Sequence, residues 1–373
     1  MSEIILENVT KLYGKKKEVC AVNDLNLHIR DKEFLVLLGP SGCGKTSTLR
    51  MIAGLENVTQ GNIYFDGKRS NDLPPRERNI AMAFESYALY PPLSVYENIA
   101  FPLRTRNMKA DEISKKVAWA AKTLHIGDIL HNRPSELSGG QQQRVSLARA
   151  IVRDPKAFLL DEPLSHLDTK QRQFMRAELK RLNVDLQSTI VYVTHDQKEA
   201  MALADRIAVM HNGKLLQIGT PSNIYSDPAN EFIAEFIGEP PMNFIDCTIV
   251  KENNIYQLFS LDWCLITNTE GKNISNHNFI NNARIGIRPR QVLFSHSPTS
   301  PEQVPVSVFV YESIGEKGIL TVKLGNQVIK IITNPQDRFQ KNEKLWISFP
   351  WKELYFFSID SGERLRNLEI RKI

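Results

Sequence analysis

The sequence predicts an α/β domain built on a largely parallel sheet, interrupted by a helical subdomain and followed by an all-β domain. Three observations carry that expectation. Short, mostly apolar runs at 33–38, 157–160 and 189–194 suit strands covered on both faces. Glycine-rich segments at 39–44 and 138–140 each lead into a helical pattern. After Gly238-Glu239-Pro240-Pro241 the chain changes to short β-rich runs, because paired prolines cannot continue a helix.

Taken in order, residues 4–10 and 22–29 alternate openly and read as an antiparallel strand pair. Residues 33–38 form a buried strand, and 46–55 a helix with Gly54 near its end. Residues 95–153 are helix-rich, most clearly at 110–124 and 142–152, and read as a helical subdomain set into the core. Strands follow at 157–160 and 189–194. Asp168 can cap a long helix between them that carries Met175, Leu179, Leu182 and Leu186 on one face. The expected domains are 1–238 and 239–373. In the second, runs at 247–250, 285–287, 307–311, 318–324 and 344–349 suit a small barrel or sandwich.

The totals bound the function. A chain of 373 residues can build two cores. Its 42% hydrophobic and 24% charged content is that of an ordinary globular protein. No apolar run is long enough to span a bilayer, and no N-terminal leader stands out, so a cytosolic chain is expected. The net charge of +5 is modest and the longest basic run is Lys15-Lys16-Lys17, so a nucleic-acid partner is not expected. Cys20, Cys43, Cys247 and Cys264 form no C-x-x-C pair, which argues against a zinc site or a disulfide framework.

The chemistry begins at Gly39-Pro40-Ser41-Gly42-Cys43-Gly44-Lys45-Thr46, which fits G-x-x-x-x-G-K-[ST] and is followed by Ser47. Backbone N–H groups of such a loop wrap phosphate, and the positive end of the following helix faces the anion. Lys45 is expected to reach the β- and γ-phosphates of a nucleotide, and Thr46 to hold Mg²⁺ through its hydroxyl. Cys43, at the helix N-terminus, is expected to favour its thiolate. Asp161, at the tip of an apolar strand, is placed to bind Mg²⁺, and Glu162 to accept a proton from attacking water. His195 ends the next strand. A second device, Leu137-Ser138-Gly139-Gly140-Gln141, also opens a helix.

In that order the motifs resemble the ATP-binding-cassette ATPases. The resemblance implies a P-loop NTPase core in which two copies close around ATP. Ser138, Gly139, Gly140 and Gln141 would then cap the γ-phosphate bound by the other copy. His195 would be the switch histidine at the γ-phosphate. Asp168, in Ser165-His166-Leu167-Asp168, would connect the two sites besides capping its helix. Tyr13, in Leu12-Tyr13-Gly14, would stack on adenine; its alternative is a half-buried tyrosine at a strand end. Segments 193–201, 217–221, 236–238 and 242–244 are similar to importers of the maltose and multiple-sugar type. Gly286-Ile287-Arg288-Pro289 resembles their OB-like regulatory domain.

That branch implies a dimer with itself or a close paralogue at the cytoplasmic face of the membrane. It also implies two permease subunits and an extracellular solute-binding protein. Importers of iron, polyamines or sulfate are the near alternative, and a soluble cassette ATPase acting on nucleic acid the remote one. The chain departs from the family at Glu85, where glutamine is usual before Ser86-Tyr87-Ala88-Leu89-Tyr90-Pro91. Glutamate keeps an oxygen ligand for Mg²⁺ and adds a negative charge near the phosphates. It is either a tolerated replacement or a brake on hydrolysis. His166 and Arg290 are further departures.

Overall fold

The structure, a computed structural model, describes residues 3–15, 18–84, 86–252, 255–260, 263–268, 280–300 and 303–366. The chain divides into two compact units, Met1–Asn223 and Ile224–Ile373.

The first unit is built on a six-stranded sheet in the order Lys214–Gly219, Arg206–His211, Phe34–Leu38, Thr189–Thr194, Ala157–Asp161, Ile80–Ala83. The last five run parallel and the edge pair is antiparallel. Every residue of Phe34–Leu38, Ala157–Asp161 and Thr189–Thr194 is buried, as strands covered on both faces require. Each large apolar side chain so buried contributes about 1.5–3 kcal/mol. Register then aligns the strand ends: Leu38 pairs with Thr194, and Asp161 with Val193. The residues that follow these strands therefore emerge together at one edge of the sheet, where ligands of open parallel sheets sit. A four-stranded antiparallel sheet, in the order Val19–Ile29, Ile4–Tyr13, Gln60–Phe65, Lys68–Arg69, shares a core with it.

The helix after the glycine-rich loop spans Lys45–Ala53 and stops at Gly54, whose φ of 75° is the left-handed cap expected of glycine. The helical region contains Val95–Arg104, Ala110–Thr123 and Gly139–Ile151. The last of these covers the helical stretch expected at 142–152 to within one residue and opens at Ser138, where the sequence placed its start. The side chain of Ser138 accepts from Gln141 N, and the Gln141 side chain accepts from Ser138 N. That capping box draws both glycines into the helix.

The second unit is all-β apart from short helices. Two five-stranded antiparallel sheets face one another across a shared core that includes Ile245, Ile285, Val306, Leu320, Ile331 and Ile347. The helix Glu231–Phe236 and residues 238–241 fall within this unit. Arg288, 1% exposed, donates to the Tyr225, Ala234 and Ile237 carbonyl oxygens and holds these segments to the sheet. The neighbouring Arg290 is exposed.

Candidate active site

Residues 39–44 turn between Leu38 and the helix Lys45–Ala53. Gly42 and Gly44 have φ of 79° and 104°, values that favour glycine. A Cβ on Gly44 would run into the Ala21 carbonyl oxygen, and one on Gly39 into that of Met210. Lys45 is 4% exposed, and its Nζ donates to the carbonyl oxygens of Gly39 and Pro40 at 2.8 and 2.9 Å. The ammonium therefore sits inside the curve of the loop, where it can meet a phosphate. Tyr13 donates its hydroxyl to Ser47 Oγ at 3.3 Å, so the tyrosine stands beside the first turn of the loop helix. Lys11 Nζ lies 4.7 Å from the centre of its ring.

Thr46 Oγ1 donates to Asp161 Oδ1 at 3.0 Å, joining residues 115 apart in sequence. Two oxygen donors in contact beside a phosphate cradle form a set that suits Mg²⁺. Glu162 follows with φ 43°, a left-handed conformation held by its N–H bond to the Val193 carbonyl oxygen. This turn brings Glu162 Oε2 to 2.9 Å from His195 Nδ1. An ionised carboxylate only accepts, so Nδ1 carries the hydrogen of that bond.

Ser138 and Gly140, at the start of the helix Gly139–Ile151, line a cavity of about 470 Å³ together with Arg144, Asp168, Lys170, Gln171 and Phe174, among others. Gln171 packs so closely that a Cβ on Gly140 would meet its Oε1. Asp168 caps the helix Thr169–Leu186 by accepting from Gln171 N at 2.8 Å. No residue of the phosphate loop lines this cavity.

Residues 39–47, 161, 162 and 195 are thus gathered at one sheet edge, and 138–141 and 168 meet at a second locus. Glu85 lies outside the described residues. One expectation is corrected. Cys43 is 4% exposed, and burial raises its thiol pKa, outweighing the opposite pull of Lys45. The helix N-terminus does not make it a ready thiolate.

The segment 193–201 was legible in the sequence, but not the group that its side chains form behind His195. Glu199, 3% exposed, accepts from both Tyr192 and Thr194 hydroxyls at 2.8 Å, and burial pushes its carboxyl pKa up. Arg172 reaches this group from the helix capped by Asp168. Also missed was a groove of about 690 Å³ lined by the apolar Met82, Phe84 and Phe101 and by Arg76, Arg106, Arg149, Arg153 and Glu77, among others. For the groove, the sequence offered only scattered arginines, which occur on any solvated surface.

Residues 22–165 match the family described as ABC transporter. The oligosaccharides import ATP-binding protein MsmX of Bacillus subtilis is 43% identical over 372 residues, covering 98% of this chain and 100% of the relative. The multiple sugar-binding transport ATP-binding protein MsmK of Streptococcus mutans is 43% identical over 382 residues, with the same coverage of 98% and 100%. The trehalose/maltose import ATP-binding protein MalK of Thermococcus litoralis is 42% identical over 376 residues, again covering 98% and 100%. Among solved structures, the dimeric MJ0796, a bacterial ABC transporter cassette, is 34% identical. It superposes with a TM-score of 0.54 over 58% of this chain and 98% of its own. The same cassette in a dimeric post-hydrolysis state bound to ADP and Pi gives 0.53.

Proposed function

The chain belongs to the ATP-binding-cassette transporter ATPases, and on that footing we propose that it hydrolyses MgATP as a dimer to drive uptake of a carbohydrate. A related polyol or glycerol phosphate is included in that class. The observation that carries the chemistry is the meeting of Lys45, Thr46, Asp161, Glu162 and His195 at the ends of three adjacent strands. The carbohydrate class rests on the sugar-import relatives, each matched along nearly its whole length.

In this reading the loop 39–44 binds the polyphosphate through its N–H groups, and Lys45 exchanges its carbonyl partners for the β- and γ-phosphates. Thr46 and Asp161 hold Mg²⁺, which when bound offsets the charge of the phosphates. Glu162 accepts the proton of the attacking water, and His195, held at Nδ1, orients the γ-phosphate. Tyr13 stacks on the base. A phosphoryl group in transfer needs donors on all sides. The partner copy supplies the missing ones from Ser138, Gly139, Gly140 and Gln141, with Asp168 alongside, as two-fold symmetry allows.

Among the described residues no helix is long and apolar enough to cross a membrane. We propose that the chain works at the cytoplasmic face on two permease subunits, fed by an extracellular solute-binding protein. The groove, lined by Arg76, Arg106, Arg149 and Arg153 against the single carboxylate of Glu77, suits a short permease helix with an apolar face and an acidic end. The all-β domain is assigned a regulatory role.

Deletion of the gene followed by uptake assays with labelled oligosaccharides, Fe³⁺, spermidine and sulfate tests this reading. Loss of sugar uptake alone, restored by the wild-type chain and not by Glu162→Gln, is expected. Loss of metal, polyamine or sulfate uptake with normal sugar uptake would overturn the carbohydrate assignment.

A further inference from the structure

Arg172 stands one turn past Asp168, whose carbonyl oxygen accepts its backbone N–H at 2.8 Å. Its guanidinium reaches three ways. Nη2 donates to the Leu167 carbonyl oxygen at 3.1 Å. Nη1 lies 3.5 Å from Asp196 Oδ2, and Nε 3.9 Å from Glu199 Oε1. Both carboxylates follow His195, Asp196 directly and Glu199 one helical turn on. Asp196 Oδ1 caps the helix Gln197–Leu203, accepting from Lys198 N at 2.7 Å. Glu199 Oε2 holds the hydroxyls of Tyr192 and Thr194. Thr194 Oγ1 in turn accepts from Asp196 N at 3.0 Å. The two residues on either side of His195 are therefore tied to one buried acid, and that acid and Asp196 share one guanidinium.

We infer that Arg172 is a positioning residue that fixes the strand end carrying His195 to the Leu167–Asp168 loop. This rests on the proposed roles of His195 and Asp168. If they hold, one side chain links the loop serving the partner's nucleotide to the histidine serving the chain's own. A planar guanidinium suits the task, since Nη2 hydrogen-bonds the Leu167 carbonyl oxygen while the charge of the same plane stays 3.5 and 3.9 Å from the two carboxylates, the buried Nε making no hydrogen bond of its own among the described residues. A lysine can supply the charge and cannot make all three contacts at once.

Electrostatics add a readout that a merely structural role would not move. Burial first, and Asp196 after it, raise the Glu199 carboxyl pKa; Thr194, Tyr192 and Arg172 lower it. Removing Arg172 leaves the raising influences less opposed, so Glu199 takes up its proton at higher pH. The acid limb of the kcat profile in Arg172→Gln then moves to higher pH. Arg172→Lys keeps a cation there, so its limb stays near the wild-type position.

The experiment measures kcat, KM and the pH profile of MgATP hydrolysis by the full-length chain for wild type, Arg172→Lys, Arg172→Gln, Arg172→Gln/Glu199→Gln and His195→Ala. The expected result is a fall in kcat of about 10- to 100-fold in both single Arg172 variants, with KM within about 3-fold of wild type. The acid limb should shift in Arg172→Gln alone and lose that shift when Glu199 is also glutamine. If Arg172→Gln does not fold, Arg172→Lys still decides through kcat. A wild-type kcat in Arg172→Lys, or an unshifted limb in a folded Arg172→Gln, would overturn the inference. An inactive His195→Ala beside a normal Arg172→Lys sinks this inference alone, whereas an active His195→Ala sinks the reading of the site itself.

Discussion

Glu162 Oε2 and His195 Nδ1 lie 2.9 Å apart, although 33 residues separate them in sequence. The contact depends on the parallel pairing of Ala157–Asp161 with Thr189–Thr194, which sets Asp161 opposite Val193. It depends also on the left-handed turn at Glu162, which points the carboxylate toward the histidine. The pair places a proton acceptor beside a group able to touch the γ-phosphate.

Changing Glu162 to Gln keeps the shape of the side chain and removes its basicity. Steady-state hydrolysis should fall by roughly 10²–10⁴-fold with ATP binding retained. Size-exclusion chromatography with ATP should show a stable dimer. Near-normal turnover would remove Glu162 from its role as base.

Shared sites can be tested by mixing lesions. In a dimer of one Lys45→Ala chain and one Ser138→Arg chain, both defects fall on the same composite site. The other site is intact, so the mixture should hydrolyse ATP faster than either parent homodimer. Activity no higher than the parents would mean that Ser138 does not act on the partner's nucleotide.

Cys43 should resist alkylation. Its burial lowers the thiolate fraction at neutral pH. The free Cys20 is exposed by contrast. Mass spectrometry after a timed iodoacetamide pulse at pH 7.5 should find Cys20 modified well before Cys43, with the gap narrowing as pH rises. Equal rates would show that the loop opens readily.

Gly44→Ala should be strongly destabilising. The backbone there has φ 104°, and a methyl would collide with the Ala21 carbonyl oxygen. Strain of this kind costs on the order of 1–3 kcal/mol before the collision is counted. Denaturant unfolding should show a lower midpoint, and ATP binding should be lost. An unchanged midpoint would mean that the loop has room the structure does not indicate.

Much of the site was legible along the chain because its chemistry is local. The loop 39–46 needs glycines at particular turns and a lysine and threonine at a helix start, and all lie within a few residues. Asp161 and Glu162 follow an apolar strand, and His195 follows another, so each could be named from its own neighbourhood. The segment Leu137–Gln141 could likewise be named as a helix opening, and the Ser138–Gln141 capping box that holds it there spans only four residues. Cys43 was misread because the nearby helix end is visible in sequence and the burial that opposes it is not.

By itself the sequence determined which groups could cradle phosphate, hold a metal and move a proton, since local spacing and side-chain chemistry decide those. It also determined the change from alternating strands and helices to β-rich structure, through apolar period and the prolines at 240 and 241. Only the tertiary structure decided that Glu162 meets His195, that Thr46 meets Asp161, and that Arg172 reaches Leu167, Asp196 and Glu199. These contacts follow from strand register and helix packing, and both depend on burying apolar faces contributed by distant segments. No short window of sequence contains both halves of such a face.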